Sequence, residues 1–132
     1  MYVVDYIMMN YDRHMKNYGL IRNVETLKFT RVMPIFDTGQ SLNCNKLLDE
    51  ISFNNGICKL FSKTESSFED LLKHINFEKY DFNLLKDIPY IADTKLHEYI
   101  RYTEMSEERI NKIVNGLKLR IDFLINEQAK RK

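Results

Sequence analysis

Asn10-Tyr11-Asp12-Arg13-His14-Met15-Lys16-Asn17 is a polar stretch that follows an apolar opening segment, and Pro34-Ile35-Phe36-Asp37-Thr38-Gly39 places a second aspartate twenty residues beyond Asn17. Between them, Gly19-Leu20-Ile21-Arg22-Asn23 and Leu27-Lys28-Phe29-Thr30-Arg31-Val32 are short β-branched or aromatic runs separated by Val24-Glu25-Thr26. That is the pattern of a β-hairpin. A hairpin returns the chain to its starting point, so Asn17 and Asp37 are expected to finish near one another. Alternation in the second run puts Leu27, Phe29 and Arg31 on one face and Lys28, Thr30 and Val32 on the other, so one side is expected to pack while the other stays wet.

Upstream of these segments, Met1 to Met9 carries Tyr2, Val3, Tyr6, Ile7 and Met8 around a single charge, Asp5, as expected of a buried helix with neighbours on several sides. Downstream of Leu42 the chain reads as helices joined by polar turns. Ser66-Ser67-Phe68-Glu69 is a capping-box signal for a helix through Ile75. Phe82 to Asp87 predicts a short helix ended near Pro89, and a further helix is expected over Asp93 to Tyr102. The last helix takes Ser106 as N-cap, with an apolar stripe of Ile110, Ile113, Val114, Leu117, Ile121, Leu124 and Ile125. Gly116 on that stripe suggests close approach of another backbone, and Ala129 to Lys132 is expected to fray.

The chain of 132 residues has the size of one domain, with residues 1–42 holding the loop pair and hairpin and residues 43–132 a helical subdomain. The fold class that follows is mainly α, with a small hairpin carrying the functional loops. Twenty basic against 19 acidic side chains remove any global electrostatic case for nucleic acid or an anionic membrane as the main ligand. Neither a membrane-spanning apolar run nor the basic n-region of a signal peptide is present, so a cytoplasmic protein is expected. Cys44 and Cys58, with no CxxC pattern, read as reduced, partly buried thiols. His74 and His97 lack metal-ligand spacing and read as ordinary polar or packing residues.

Any one of Asp12, Asn17 and Asp37 could be a turn or capping residue, the commonest use of Asp and Asn in loops. Their joint spacing around a hairpin points to chemistry. Phosphoryl transfer needs Mg²⁺ held against phosphates and an acceptor hydroxyl oriented for in-line attack. Asp12 would orient the hydroxyl, while Asn17 and Asp37, a neutral and an anionic oxygen ligand, would coordinate magnesium. Arg13 and Lys16 could pair with a carboxylate, a phosphorylated loop or the transferred group, and His14 could bond to backbone. Gly39 would let the backbone pass close to a nucleotide.

These segments resemble the C-terminal lobe of the HipA-like serine/threonine kinases, toxin-related kinases of bacteria and phage. The resemblance lies in the Asn10-x-Asp12-Arg13-His14-x-x-Asn17 loop and the aspartate segment Pro34 to Leu42 after a hairpin; it extends more weakly to Phe61-Ser62-Lys63-Thr64. It implies the helical C-lobe of a protein-kinase-like fold, with Asp12 as catalytic aspartate, Asn17 as metal-binding asparagine and Asp37 as magnesium aspartate. It also implies ATP and Mg²⁺ as cofactors and a protein substrate with a serine or threonine hydroxyl. The family's N-terminal lobe supplies a phosphate-contacting loop and an ATP-binding lysine. Glycines 19, 39, 56 and 116 form no such loop, and no lysine sits in a strand ahead of Asp12, so Lys16, Lys28 and Lys46 are not assigned to that role.

Two readings follow. In one, the chain is the catalytic lobe of such a kinase, inactive without an N-lobe supplied by a partner chain or lost by truncation. In the other it is a catalytically silent interaction module that binds a kinase partner or an antitoxin. A helical interaction domain with a coincidental loop motif is the remaining alternative.

Overall fold

The computed structural model describes residues 1–54, 56–59 and 64–131. Phe61 to Lys63, part of the weaker resemblance, lie outside the described residues. About half of the described residues are helical, and they include two small antiparallel sheets. The elements are α1 (Tyr2–Met8), the hairpin β1 (Leu20–Arg22) and β2 (Phe29–Val32), a second ladder β3 (Ile57–Cys58) and β4 (Ser66–Ser67), then α2 (Phe68–Leu72), α3 (Ile88–Tyr99) and α4 (Glu107–Lys130), with short 3-10 turns between.

Helix α4 is the spine. Ser106 caps it, its side chain accepting from Arg109 N at 3.2 Å, and Ile110, Ile113, Leu117, Ile121 and Leu124 are buried while Val114 and Ile125 lie at the margin. The stripe packs with Tyr6 and Ile7 of α1 and with Phe68, Leu71 and Leu72 of α2. Burying side chains of this kind contributes roughly 1.5–3 kcal/mol each, which makes this cluster the main source of stability. A Cβ on Gly116 would come within 2.1 Å of the Phe53 ring, so the close approach there is by an aromatic side chain and not by a backbone. Arg131 lies over the Phe77 ring at 4.0 Å, which ties down the end of α4 up to that residue; Lys132 lies outside the described residues.

Polar residues on the inward side of α4 hold carbonyls of distant segments. Arg120, 1% exposed, donates from Nη1 to Tyr6 O at 2.7 Å and from Nε to Phe53 O at 3.1 Å, and stacks over the Tyr6 and Phe68 rings. Burial lowers its pKa from the ordinary arginine value. Lys112 Nζ donates to Leu48 O at 2.7 Å and Arg109 Nη2 to Asn43 O at 2.8 Å. The 43–53 segment is therefore pinned to α4 through its backbone, which fixes the chain just beyond the Asp37 loop.

Four local expectations shift, the first being that α2 stops at Leu72 and not at Ile75. The capping box sits one residue later: Ser67 Oγ accepts from Asp70 N at 3.1 Å, while Asp70 Oδ2 accepts from Ser67 N at 3.2 Å, because Ser66 is paired with Cys58 in the second ladder. Pro89 does not end a helix but sits at the start of α3, in the first turn where its missing N–H has no intrahelical partner to lose. The preceding residues form a 3-10 turn, Phe82–Leu85, and α3 runs from Ile88, earlier than Asp93, and passes into a 3-10 turn at Ile100–Tyr102.

The hairpin forms with Leu20 opposite Val32 and Ile21 opposite Arg31, and a bulge shifts the register at Arg22. Asn23 Oδ1 accepts from Glu25 N at 2.9 Å and Thr26 N at 2.7 Å, closing the turn. The expectation that one face packs is overturned. Every residue of β2 is exposed, Phe29 at 66%, because the core assembles between α4, α1 and α2 and leaves the hairpin outside it.

Candidate functional site

Helix α1 ends at Met8 and is capped by Met9, whose left-handed backbone (φ 51) turns the chain into the loop that begins at Asn10. Such a turn is normally made by glycine, and holding methionine there costs about 1–2 kcal/mol. The compensation is a buried polar network. Asn10 N donates to Asp5 O at 3.0 Å and Asn10 Nδ2 to Asp5 Oδ1 at 3.0 Å. Arg13 donates from Nε to Asp5 Oδ2 at 3.0 Å and from Nη2 to Asp5 Oδ1 at 2.7 Å, with both side chains fully buried. The lone charge in the apolar first helix is thus the anchor of the loop.

The same loop is bonded to the 36–42 segment. Arg13 Nη1 donates to Phe36 O at 2.7 Å, Tyr11 N to Gln40 O at 3.3 Å, and Leu42 N to Met8 O at 2.7 Å. The Tyr11 hydroxyl also donates to Gln40 Oε1. At the hairpin base, Met33 N donates to Gly19 O at 2.9 Å, which closes the return of the chain.

The geometry brings Asn17 and Asp37 together: Asn17 Nδ2 donates to Asp37 Oδ2. Asn17 is buried and its Oδ1 accepts from His14 N at 3.1 Å, which sets the orientation of the amide. Asp37 is exposed and holds a left-handed backbone, φ 55. Positive φ lies at Asp37 and at no glycine; a Cβ on Gly39 would meet nothing within 4 Å, so the tight turn expected at Gly39 is made by the aspartate itself. Asp12, between half-buried Tyr11 and buried Arg13, is exposed.

Among the described residues no group of three or more His, Cys, Asp and Glu side chains is placed to hold a metal. Asn17 and Asp37 instead offer one amide oxygen, with a lone pair beyond the one His14 uses, and one carboxylate. That donor set fits a hard cation that keeps waters and takes phosphate oxygens for its remaining positions, as Mg²⁺ does. The Asn17 amide N–H supplies the partial positive charge facing the Asp37 carboxylate.

Of the other loop residues, Lys16 is exposed, and Arg13 is committed to Asp5 and Phe36 O, so of its proposed partners the carboxylate is the one it meets. His14 holds the loop through its backbone N–H, while its buried Nδ1 has no partner. Asn10 Oδ1 and Ser41 Oγ are likewise buried without a partner, placing three orphaned polar atoms in the two segments that carry the candidate residues. Cys44 is exposed and Cys58 buried; burial, with the charge of Asp5 adding to it, pushes the Cys58 thiol up to about 11, which keeps it protonated and inert as a nucleophile at neutral pH. A hollow of about 960 Å³ beside His97, Arg101 and Tyr102 includes none of Asp12, Asn17 or Asp37. A smaller one of about 420 Å³ opens beside Tyr11, Asn45 and Lys46 over Met9 and Phe68.

Asp5, Asn10 and Arg13 as a buried unit, and Ser41, were not singled out by the motif. Their one signal was Asp5, a solitary charge in an apolar helix, which needs a partner if the helix buries it.

No protein-family model matches the chain, and no solved structure gives a significant match. No helix among the described residues is long and apolar enough to cross a membrane. Among curated proteins, the chain is similar to the serine/threonine-protein kinase CtkA of Helicobacter pylori, 28% identical over 123 residues. The match covers 82% of this chain and 38% of that protein, so the chain spans well under half the length of the relative. The similarity supports a kinase-like relationship.

Proposed function

We infer that this chain carries the acceptor and magnesium side of an ATP- and Mg²⁺-dependent serine/threonine protein kinase site of the HipA-like kind. The observation that carries this reading is the hydrogen bond between Asn17 and Asp37, two oxygen-bearing side chains brought together across a hairpin. Asp12 orients the serine or threonine hydroxyl and accepts its proton, and Asn17 and Asp37 hold the metal. When bound, Mg²⁺ neutralises charge that develops on the transferred phosphoryl group. The similarity to a serine/threonine kinase agrees in chemistry.

The nucleotide-gripping side of such a site would come from a β-rich lobe outside these residues. Leu20, Phe29, Val32 and Met33 form exposed apolar surface next to the metal loop, and they are where that lobe would seat. The same surface supports a second reading, an interaction module whose hairpin binds a kinase subunit or an antitoxin without turnover.

A titration followed by ¹⁵N NMR separates the two. With Mg²⁺ and a non-hydrolysable ATP analogue, and with a HipA-like N-lobe added, the kinase reading expects shifts at Asn17 and Asp37 that vanish in Asp37→Ala while the fold persists. Binding of the lobe with no response at Asn17 or Asp37 favours the silent module.

A further inference from the structure

Asp37 keeps a left-handed backbone without being a glycine, a region that aspartate tolerates better than most residues but that is fixed only by surrounding bonds. Two groups hold it. Asn17 bonds its carboxylate, and Arg13 Nη1 donates, at 2.7 Å, to the carbonyl of Phe36, part of the peptide unit that leads into Asp37. The guanidinium that makes this bond is itself fixed by Asp5 on α1, at 2.7 and 3.0 Å, and both partners are 0% exposed. Asn10 Nδ2 bonds the same Asp5 carboxylate. A group so enclosed cannot meet a phosphorylated side chain or a substrate arriving from solvent.

A buried ion pair adds little net stability over well-packed apolar residues, so stability alone is a weak reason for this arrangement. A planar fork that bonds two separate segments at once fixes their relative position, which a lysine, as a point charge, does less well. We propose that Arg13 is a positioning residue: its guanidinium carries the fixed place of Asp5 on α1 to the Phe36–Asp37 peptide and so sets the backbone of Asp37. That Asp37 binds metal rests on the function inferred above. That Arg13 sets its backbone does not.

Two variants of the full chain test this. Arg13→Lys keeps a positive charge opposite Asp5 but lacks the planar fork whose separate nitrogens bond Asp5 and Phe36 O. Asp5→Asn combined with Arg13→Met removes both charges, so neither is left buried and unpaired if the lysine variant unfolds. The first readout needs no metal: the strong intraresidue amide-to-Hα NOE of Asp37 that marks positive φ. It is expected to weaken, with broadening of the Asp37 and Thr38 amides, while the amides of α4 keep their wild-type positions. The second readout is Mn²⁺ alone, which is expected to broaden Asn17 and Asp37 in the wild type and to need about ten-fold more Mn²⁺ in the variants. A wild-type Asp37 signal in the folded variants overturns the positioning role. If instead the Asp37 signal changes as expected but Mn²⁺ broadens neither residue in the wild type, the metal reading fails and the positioning role stands.

Discussion

The helical half and the loop-and-hairpin half of this molecule use their side chains in opposite ways. In α4 the apolar stripe is buried and the charges mostly face out, the ordinary outcome of the hydrophobic effect. In the first 42 residues the arrangement is reversed: Asp5, Asn10 and Arg13 are fully buried while Phe29, Val32 and Leu20 face solvent. The first region is built for stability. The second is built to hold two loops in one geometry, at the expense of left-handed backbone at Met9 and Asp37 and of apolar surface left uncovered. A fully bonded buried polar network fixes position more than it adds stability.

The contrast can be broken most strongly from the polar side. Asp5→Ala leaves Arg13 buried with its charge unpaired, and the expected loss is about 3–5 kcal/mol in urea unfolding, with the midpoint lowered. Leu124→Ala, at a 0% exposed position of the apolar stripe, is expected to lose about 2–4 kcal/mol in the same measurement while leaving the Asp37 amide signal of the folded protein unchanged. The two variants thus separate loss of stability from loss of loop geometry.

A smaller effect lies at the contact between α3 and the start of α4. His97 Nε2 meets Glu107 Oε2 at 2.8 Å and Nδ1 meets Asp93 O at 2.8 Å, and these bonds raise the histidine pKa above its usual 6.5, the Asp93 backbone bond most. A folded-state pKa above the unfolded one means the contribution is present in full below pH 6.5 and is lost as pH rises through the raised value. The thermal midpoint of wild type should therefore exceed that of His97→Gln by more at about pH 6 than at about pH 9. The least effect is expected at the hairpin. Phe29→Ser, at an exposed position, should change unfolding free energy by less than about 0.5 kcal/mol while weakening association with an added N-lobe.

Much of the helical half was legible because its signals are local. Ser106 and the spacing of Ile110, Ile113, Leu117, Ile121 and Leu124 report their own cap and their own buried face. Pro89 was misread because a proline that ends one element and one that begins the next look alike until the following turn is known. In the candidate site, the proximity of Asn17 and Asp37 followed from the hairpin's return. The anchoring by Asp5 did not, since Arg13 is eight residues away and either of them could have faced water.

The sequence by itself determined the long apolar stripe of α4, its cap and the hairpin that joins the two loops, because periodicity and turn chemistry act over a few residues. Only the tertiary structure decided that Arg13 is buried against Asp5, that Arg120 holds the backbone of Tyr6 and Phe53, that Asp37 takes a left-handed backbone, and that both faces of β2 stay exposed. The reason is physical. A local pattern states which face of an element is apolar or charged, but whether that face meets a partner or water depends on how distant segments pack.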